Sequence, residues 1–309
     1  MKKFLTLLLA LAMTLSLAAC GSDSTEETEG TDGTEAETVD YTAMSDDELK
    51  AAITTVSEGT LTVATSPDFA PYEFYAIGED GQATLAGFEM SLAQYIADYL
   101  GLELEVVPMD FDGTLMELQN KSVDLGMAGY SPKPERENIM DFSDIFYTGG
   151  QSFVTTQDKA DLFTSLEDTN KAEYSIGAQT GSIQVDLAQT NSPDAELIQL
   201  PKVTDVITDL LAGNLDGAYI ETVVAETYAK NYPELNVLLD VPYEQEGSVV
   251  GVSKGNAALL EGVNRAIAAA LEDGTMDEFI TQANELASGE TYEGLLDENG
   301  QVAETPAEG

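Results

Sequence analysis

The chain has 309 residues, 57 acidic side chains against 12 basic ones, no histidine, no tryptophan and one cysteine. A net charge of −45 repels a polyanion, so no nucleic acid is expected as a partner. The missing histidine excludes a Ser–His triad and an imidazole metal site, and the lone cysteine excludes an intramolecular disulfide and a Cys₄ zinc site; neither a metal nor a cofactor is expected.

Residues 1–19 read as a signal peptide. Lys2 and Lys3 precede an apolar stretch from Phe4 to Leu17, about the length of a signal h-region and short for a membrane span. The stretch closes on Leu17-Ala18-Ala19-Cys20, which resembles the lipobox of bacterial lipoproteins and makes Cys20 the expected lipidated residue. Residues 20–58 read as an acidic tether followed by a short helix. The Gly, Ser, Thr, Asp and Glu of 21–40 bury too little apolar surface to offset their ordering entropy. Ser45 and Glu48 form a capping box for a helix placed outside the core.

From about 59 to 287 the pattern alternates. Leu61–Thr65, Leu104–Pro108 and Val123–Ala128 read as strands, with helices over Gly87–Leu100 and Gly113–Asn120 between them. Phe88, Leu92, Ile96, Tyr99 and Leu100 fall on one helix face, and Gly101 takes the C′ position. The order implies a parallel sheet covered by helices. A second series follows: strands at 152–156, 174–178, 217–220, 236–239 and 247–252, and helices after Ser182, over 203–212 and over 222–231. Two more helices close it. One, over 256–273, has Leu259, Leu260, Val263, Ile267 and Leu271 on its apolar face; the other covers 276–286. Residues 288–309 read as an acidic flexible tail.

Ligand sites of α/β sheets lie where strand ends turn into loops and helix starts. The loops 66–72, 129–136 and 179–183 and the turn Ile220-Glu221-Thr222 qualify. The chain has two arginines, Arg136 and Arg265, so a bidentate clamp on a carboxylate must use one of them. Arg136 lies just past a strand, with the Ser131 hydroxyl nearby; a clamp and a solvated surface arginine are both open on spacing alone. Arg265 reads as a surface charge near Glu261. Glu221 ends a strand, where it suits either an ammonium group or a helix macrodipole. Phe69 and Phe111 fit a pocket wall or the core equally, and Thr180-Gly181-Ser182 is a weak anion signal.

Taken in order, the segments Val63–Phe74, Gly87-Phe88-Glu89-Met90, Met109–Thr114, Val123–Arg136, Asp141–Asp144, Gly177–Ser182 and Gly213–Glu221 resemble the successive motifs of the family 3 extracellular solute-binding proteins, the receptors of polar amino-acid ABC importers. The resemblance covers about residues 59–287. It implies an α/β, two-lobed periplasmic-binding-protein type II fold in which two hinge strands join the lobes. Lobe one takes 59–145 and returns for 249–287; lobe two takes 146–248. It further implies that Arg136 and Ser131 hold a ligand carboxylate, that Glu221 receives the ammonium, that Phe69 and Phe111 wall the pocket, and that Gly129, Gln179 and Ser182 add backbone and polar contacts. Ser66 stands where some relatives carry Asp, which makes a strongly cationic ligand less expected. The implied protein is a monomeric amino-acid-binding lipoprotein on the extracellular face of the cytoplasmic membrane, held by the lipid on Cys20, that serves the transmembrane subunits of an ABC importer. The resemblance implies a binding protein and not an enzyme. Some dehydratases of aromatic-amino-acid synthesis share the fold, so a cleft enzyme of the cyclohexadienyl or arogenate dehydratase kind stands as an alternative, and a ligand-sensing coreceptor as another.

Overall fold

The computed structural model describes residues 39–78, 81–244, 247–289 and 291–292. The signal segment, Cys20 and most of the tether lie outside the described residues.

In chain order, α1 (Asp46–Ala52) precedes β1 (Thr60–Thr65), a small antiparallel unit of β2 (Asp68–Phe69), β3 (Glu73–Ile77) and β4 (Ala83–Ala86), and α2 (Phe88–Leu100). Then come β5 (Glu103–Pro108), α3 (Phe111–Asn120), β6 (Leu125–Gly126), β7 (Met140–Phe142), β8 (Gln151–Thr156), β9 (Ser175–Gln179), α4 (Ile183–Asn191), β10 (Glu196–Leu200) and α5 (Val203–Leu211). The chain continues through β11 (Gly217–Glu221), α6 (Thr222–Asn231), β12 (Leu235–Asp240), β13 (Gly251–Ser253), α7 (Ala257–Glu272), α8 (Thr275–Ala287) and β14 (Thr291–Tyr292).

Two five-stranded sheets organise the molecule, in the orders β5-β1-β6-β13-β7 and β10-β9-β11-β8-β12. The β-α-β segments give the parallel pairs β1 with β5 and β6, and β9 with β10 and β11. The strands that cross from one sheet to the other arrive antiparallel: β8 runs against β11, and β13 against β6 and β7. Each sheet is therefore mixed where the sequence order implies a parallel one. The two crossings meet in an antiparallel bridge between Tyr147 and Ser248.

Helices sheathe the sheets through their apolar faces. Leu92 and Ile96 of α2 meet Leu259, Val263 and Ile267 of α7 over Leu61, Val63 and Val252 of the first sheet. Val206, Ile207 and Leu210 of α5 and Val224 of α6 cover Ala218 and Ile220 of the second. Gly101 closes α2 in the left-handed region, at φ 74°, returning its N–H to the last turn.

Several elements differ from the sequence reading. The strand expected over 123–128 shortens to Leu125–Gly126, and beside it the Asp124 carboxylate accepts from the Thr62 and Val56 amides. The strand expected over 247–252 becomes the Ser248 bridge and then β13. Leu271, placed on the apolar face of α7, is 48% exposed. The capping box of α1 forms as expected, yet the helix joins the body: Leu49 is buried, and Arg265 binds Asp46 and the carbonyls of Tyr41 and Thr42. Thr291–Tyr292, within the segment read as a flexible tail, pairs with Ala76 and Tyr75 of β3.

Candidate functional site

Between the sheets, the loops after β1 and β6 face those after β9 and β11. Arg136 sits in a 3-10 turn, Pro134–Asn138, that Pro134 starts with its fixed φ. It is 5% exposed. Its guanidinium donates to Ser131 O at 3.3 Å and to Gly181 O at 3.0 Å, and lies 5.5 and 5.6 Å from the Phe111 and Tyr130 ring centroids. Among the described residues it has no carboxylate partner in an ion pair. Burial pushes its pKa down from the ordinary arginine value. A guanidinium stays charged in proteins, so this is a buried cation with donors to spare.

Gly129 adopts φ +61° and packs under the Phe69 ring, where a Cβ would come within 2.6 Å of Phe69 Cε1, so only glycine fits. Its amide donates to both Glu89 carboxylate oxygens at 3.2 Å. Glu89 in turn faces Glu73, whose two fully buried carboxylate oxygens find no donor. Two facing carboxylates lack a donor unless one holds a proton, and a shared proton repairs the pair. Burial first, then Glu89, raises Glu73 well above the carboxylate range; burial raises Glu89 to about 7.

On the opposite side Glu221 closes β11 and is the N-cap of α6, its Oε2 accepting from the Val224 amide at 2.9 Å. The helix-entry reading of this acid is thus realised, while Oε1 points to the Tyr72 hydroxyl at 3.4 Å and lines the cleft. Burial raises its pKa to about 7 against the pull of the helix amides. A side chain on Gly149 would collide with the Glu221 carboxylate, so the crossing strand is bare where it passes the acid.

Two small adjoining cavities join these groups, each about 10 Å³, room for one water molecule. Phe69, Phe111, Gly129, Ser131, Arg136 and Gln179 meet around one. Glu221 shares the other with Phe69, Gly129 and Ser131. Ser66 and Ser182 line neither; both are buried, and Ser182 Oγ donates to Gln179 O at 2.7 Å inside its own turn. The cleft side chains leave no space between them for more than water.

Sequence reasoning missed Tyr72, Gln184, Gln151 and Ser248, which also line the cleft, and Asp68, which bridges it. Gln184 follows the nominated Thr-Gly-Ser turn and Asp68 precedes the nominated Phe69, so proximity to those motifs was the available signal. A roomier hollow of about 490 Å³ lies elsewhere, between the segment 41–56 and the start of α7. Its lysines are already engaged, Lys121 with Lys254 O and Lys254 with Asp141, and it holds none of the cleft residues.

The family model described as bacterial extracellular solute-binding proteins, family 3, matches residues 61–283. The chain is 30% identical over 281 residues to the arginine-binding extracellular protein ArtP of Bacillus subtilis (strain 168), covering 90% of this chain and 96% of ArtP. A crystal structure of the amino acid ABC transporter substrate-binding protein AbpA from Streptococcus pneumoniae Canada MDR_19A, bound to L-arginine, superposes with a TM-score of 0.72 at 31% identity, over 79% of this chain and 100% of that one. At greater distance, the cyclohexadienyl dehydratase of Pseudomonas aeruginosa is 26% identical over 180 residues, 58% of this chain and 66% of the enzyme.

Proposed function

The chain belongs to the bacterial extracellular solute-binding proteins, family 3, and from that membership we propose that it captures a free amino acid between its lobes and presents it to an ABC importer. One observation carries the reading: Arg136 is a buried cation without a carboxylate partner among the described residues, and it shares a cleft with the buried acid Glu221. A zwitterion complements both. Its carboxylate takes the free donors of Arg136 and the Ser131 hydroxyl, and its ammonium meets Glu221. Its side chain lies against Phe69 and Phe111. Each ion pair forms away from water, where the attraction is stronger. Lobe one, 59–145 with 249–287, holds the carboxylate; lobe two, 146–248, brings Glu221 as the hinges near 146–150 and 244–248 close.

The ligand is a neutral polar or basic amino acid. ArtP and AbpA, named or solved as arginine binders, support trying arginine first. Thermal shift and calorimetry over the twenty amino acids test the reading. A ligand at 100 times its Kd adds about 2.7 kcal/mol of apparent stability. No shift and no heat with any amino acid would overturn it.

The same reading includes a lipid anchor on Cys20, an extracellular location and a monomer. Incorporation of labelled fatty acid into the wild type, lost in Cys20→Ser, checks the anchor.

A cleft enzyme is the second reading. It is favoured by Glu221, a buried carboxyl raised to about 7, the range of a general acid, beside a carboxylate-binding arginine. Turnover of prephenate or arogenate, abolished in Glu221→Gln, would replace the first reading with this one.

A further inference from the structure

Asp68 opens the two-residue strand β2 between β1 and β3, next to the pocket aromatic Phe69, and is 6% exposed. Its carboxylate is spent across the cleft. Oδ2 accepts from the Val203 amide at 2.6 Å and from Gln179 Nε2 at 3.1 Å, while its backbone carbonyl accepts from the Tyr228 hydroxyl at 3.1 Å. All three donors belong to elements of the second sheet's lobe: the first residue of α5, the end of β9, and α6.

The chemistry of each partner is suited to a contact that forms on approach. The Val203 N–H is one of the orphan donors at a helix start, and α5 has no side-chain cap of its own, since its N-cap residue is Lys202. A carboxylate delivered there from the other lobe satisfies the amide and lies favourably at the positive end of the helix. Gln179 ties the same carboxylate to the cleft floor, because its side chain lines the Arg136 cavity while it donates to Asp68 and to Pro201 O. When the lobes part, all three bonds break together.

We propose that Asp68 is the closing latch of the cleft: it caps helix α5 of the opposite lobe when the lobes meet, and so sets how long a captured ligand is held. The role is that of a positioning residue, because Asp68 lines neither cavity and acts on the ligand through closure. Its kinetic consequence rests on the proposed capture function; its structural consequence does not.

Two variants probe the latch from opposite sides. Asp68→Ala removes the acceptor. Val203→Pro removes the donor amide, at a first helical position where proline is tolerated and after a residue, Lys202, already in extended backbone at φ −119° and ψ 148°. Spin labels at Met116→Cys and Leu162→Cys, exposed positions on opposite lobes, report the interlobe distance in a Cys20→Ser background. Each variant is expected to shift the distance distribution toward the open form. Each should raise ligand koff by about 10-fold, the range of one charge-assisted hydrogen bond, with kon little changed. The double variant should add nothing to Asp68→Ala, while Asp68→Ala should exceed Val203→Pro by the Gln179 bond that the proline variant keeps. Asp68→Asn, which keeps an oxygen acceptor, should restore part of the closed population.

A wild-type distance distribution and wild-type koff in a folded Asp68→Ala or Val203→Pro protein would overturn the latch while leaving capture intact. A wild type that binds no amino acid, with variants that still open, would overturn capture and leave the latch standing.

Discussion

Arg136 combines two effects that usually separate. It is buried with only two carbonyls as hydrogen-bond acceptors, an arrangement that costs folding free energy. Replacing it with methionine is expected to raise the melting temperature of the ligand-free protein, while Arg136→Ala lowers ligand affinity by on the order of 2–5 kcal/mol in calorimetry. Arg136→Lys keeps the charge but not the fork, and binding should weaken there too. Opposite movement of stability and affinity would mark a functional charge; a structural one would lower both.

The Glu73–Glu89 pair gives a second residue-level prediction. Both pKa values are raised in the folded protein above their ordinary values, so ionising these groups opposes folding. Their cost is absent below the ordinary carboxylate pKa and grows as pH rises through about 7. Melting temperature should therefore fall between pH 5.5 and 8.5. Glu73→Gln, which supplies an amide donor to Glu89, should flatten that slope.

At the scale of elements, the sequence was most legible where a periodic apolar face coincided with a stop signal. α2 is the clear case, its face of Phe88, Leu92 and Ile96 ending at Gly101. It was least legible where strands are short or partly exposed and so carry no alternation. β4 and β10 are edge strands of intermediate and exposed residues, and β7 has three residues. Bonds between distant segments are invisible to periodicity altogether. The cleft follows the same division: Arg136 and Glu221 stood out through the motifs that carry the family resemblance, since spacing alone left each open, whereas the Asp68–Val203 bond spans 135 positions and depends on how the lobes meet. Arg265 is the corresponding case outside the cleft. Read as a surface charge, it ties Tyr41, Thr42 and Asp46 to Glu261 of α7. In Arg265→Ala, amide exchange over residues 41–52 should accelerate, with exchange in the core of α7 unchanged.

At the scale of the whole molecule, closure brings acids together inside a chain of net charge −45. Asp68 and Glu221 both have pKa values raised to about 7 with the cleft shut, burial being the leading cause for each. With the lobes apart, water reaches both carboxylates and returns them toward their ordinary range near 4. Closing therefore takes up protons. Above pH 7 it must bury ionised carboxylates at a cost; below the ordinary pKa both are protonated in either state and the cost is gone. The ligand-free protein should accordingly open as pH rises from 5.5 to 8.5, read as a growing radius of gyration in small-angle scattering. The ligand reverses half of this, because its ammonium holds Glu221 ionised. Relative to the closed ligand-free form, binding at pH 7 should then release protons from Glu221, and calorimetry in buffers of different ionisation enthalpy measures that release. In Glu221→Gln the release should disappear and the pH-dependent opening should shrink to the part owed to Asp68. An opening that is unchanged in a Glu221→Gln, Asp68→Asn double variant would locate the proton uptake outside the cleft.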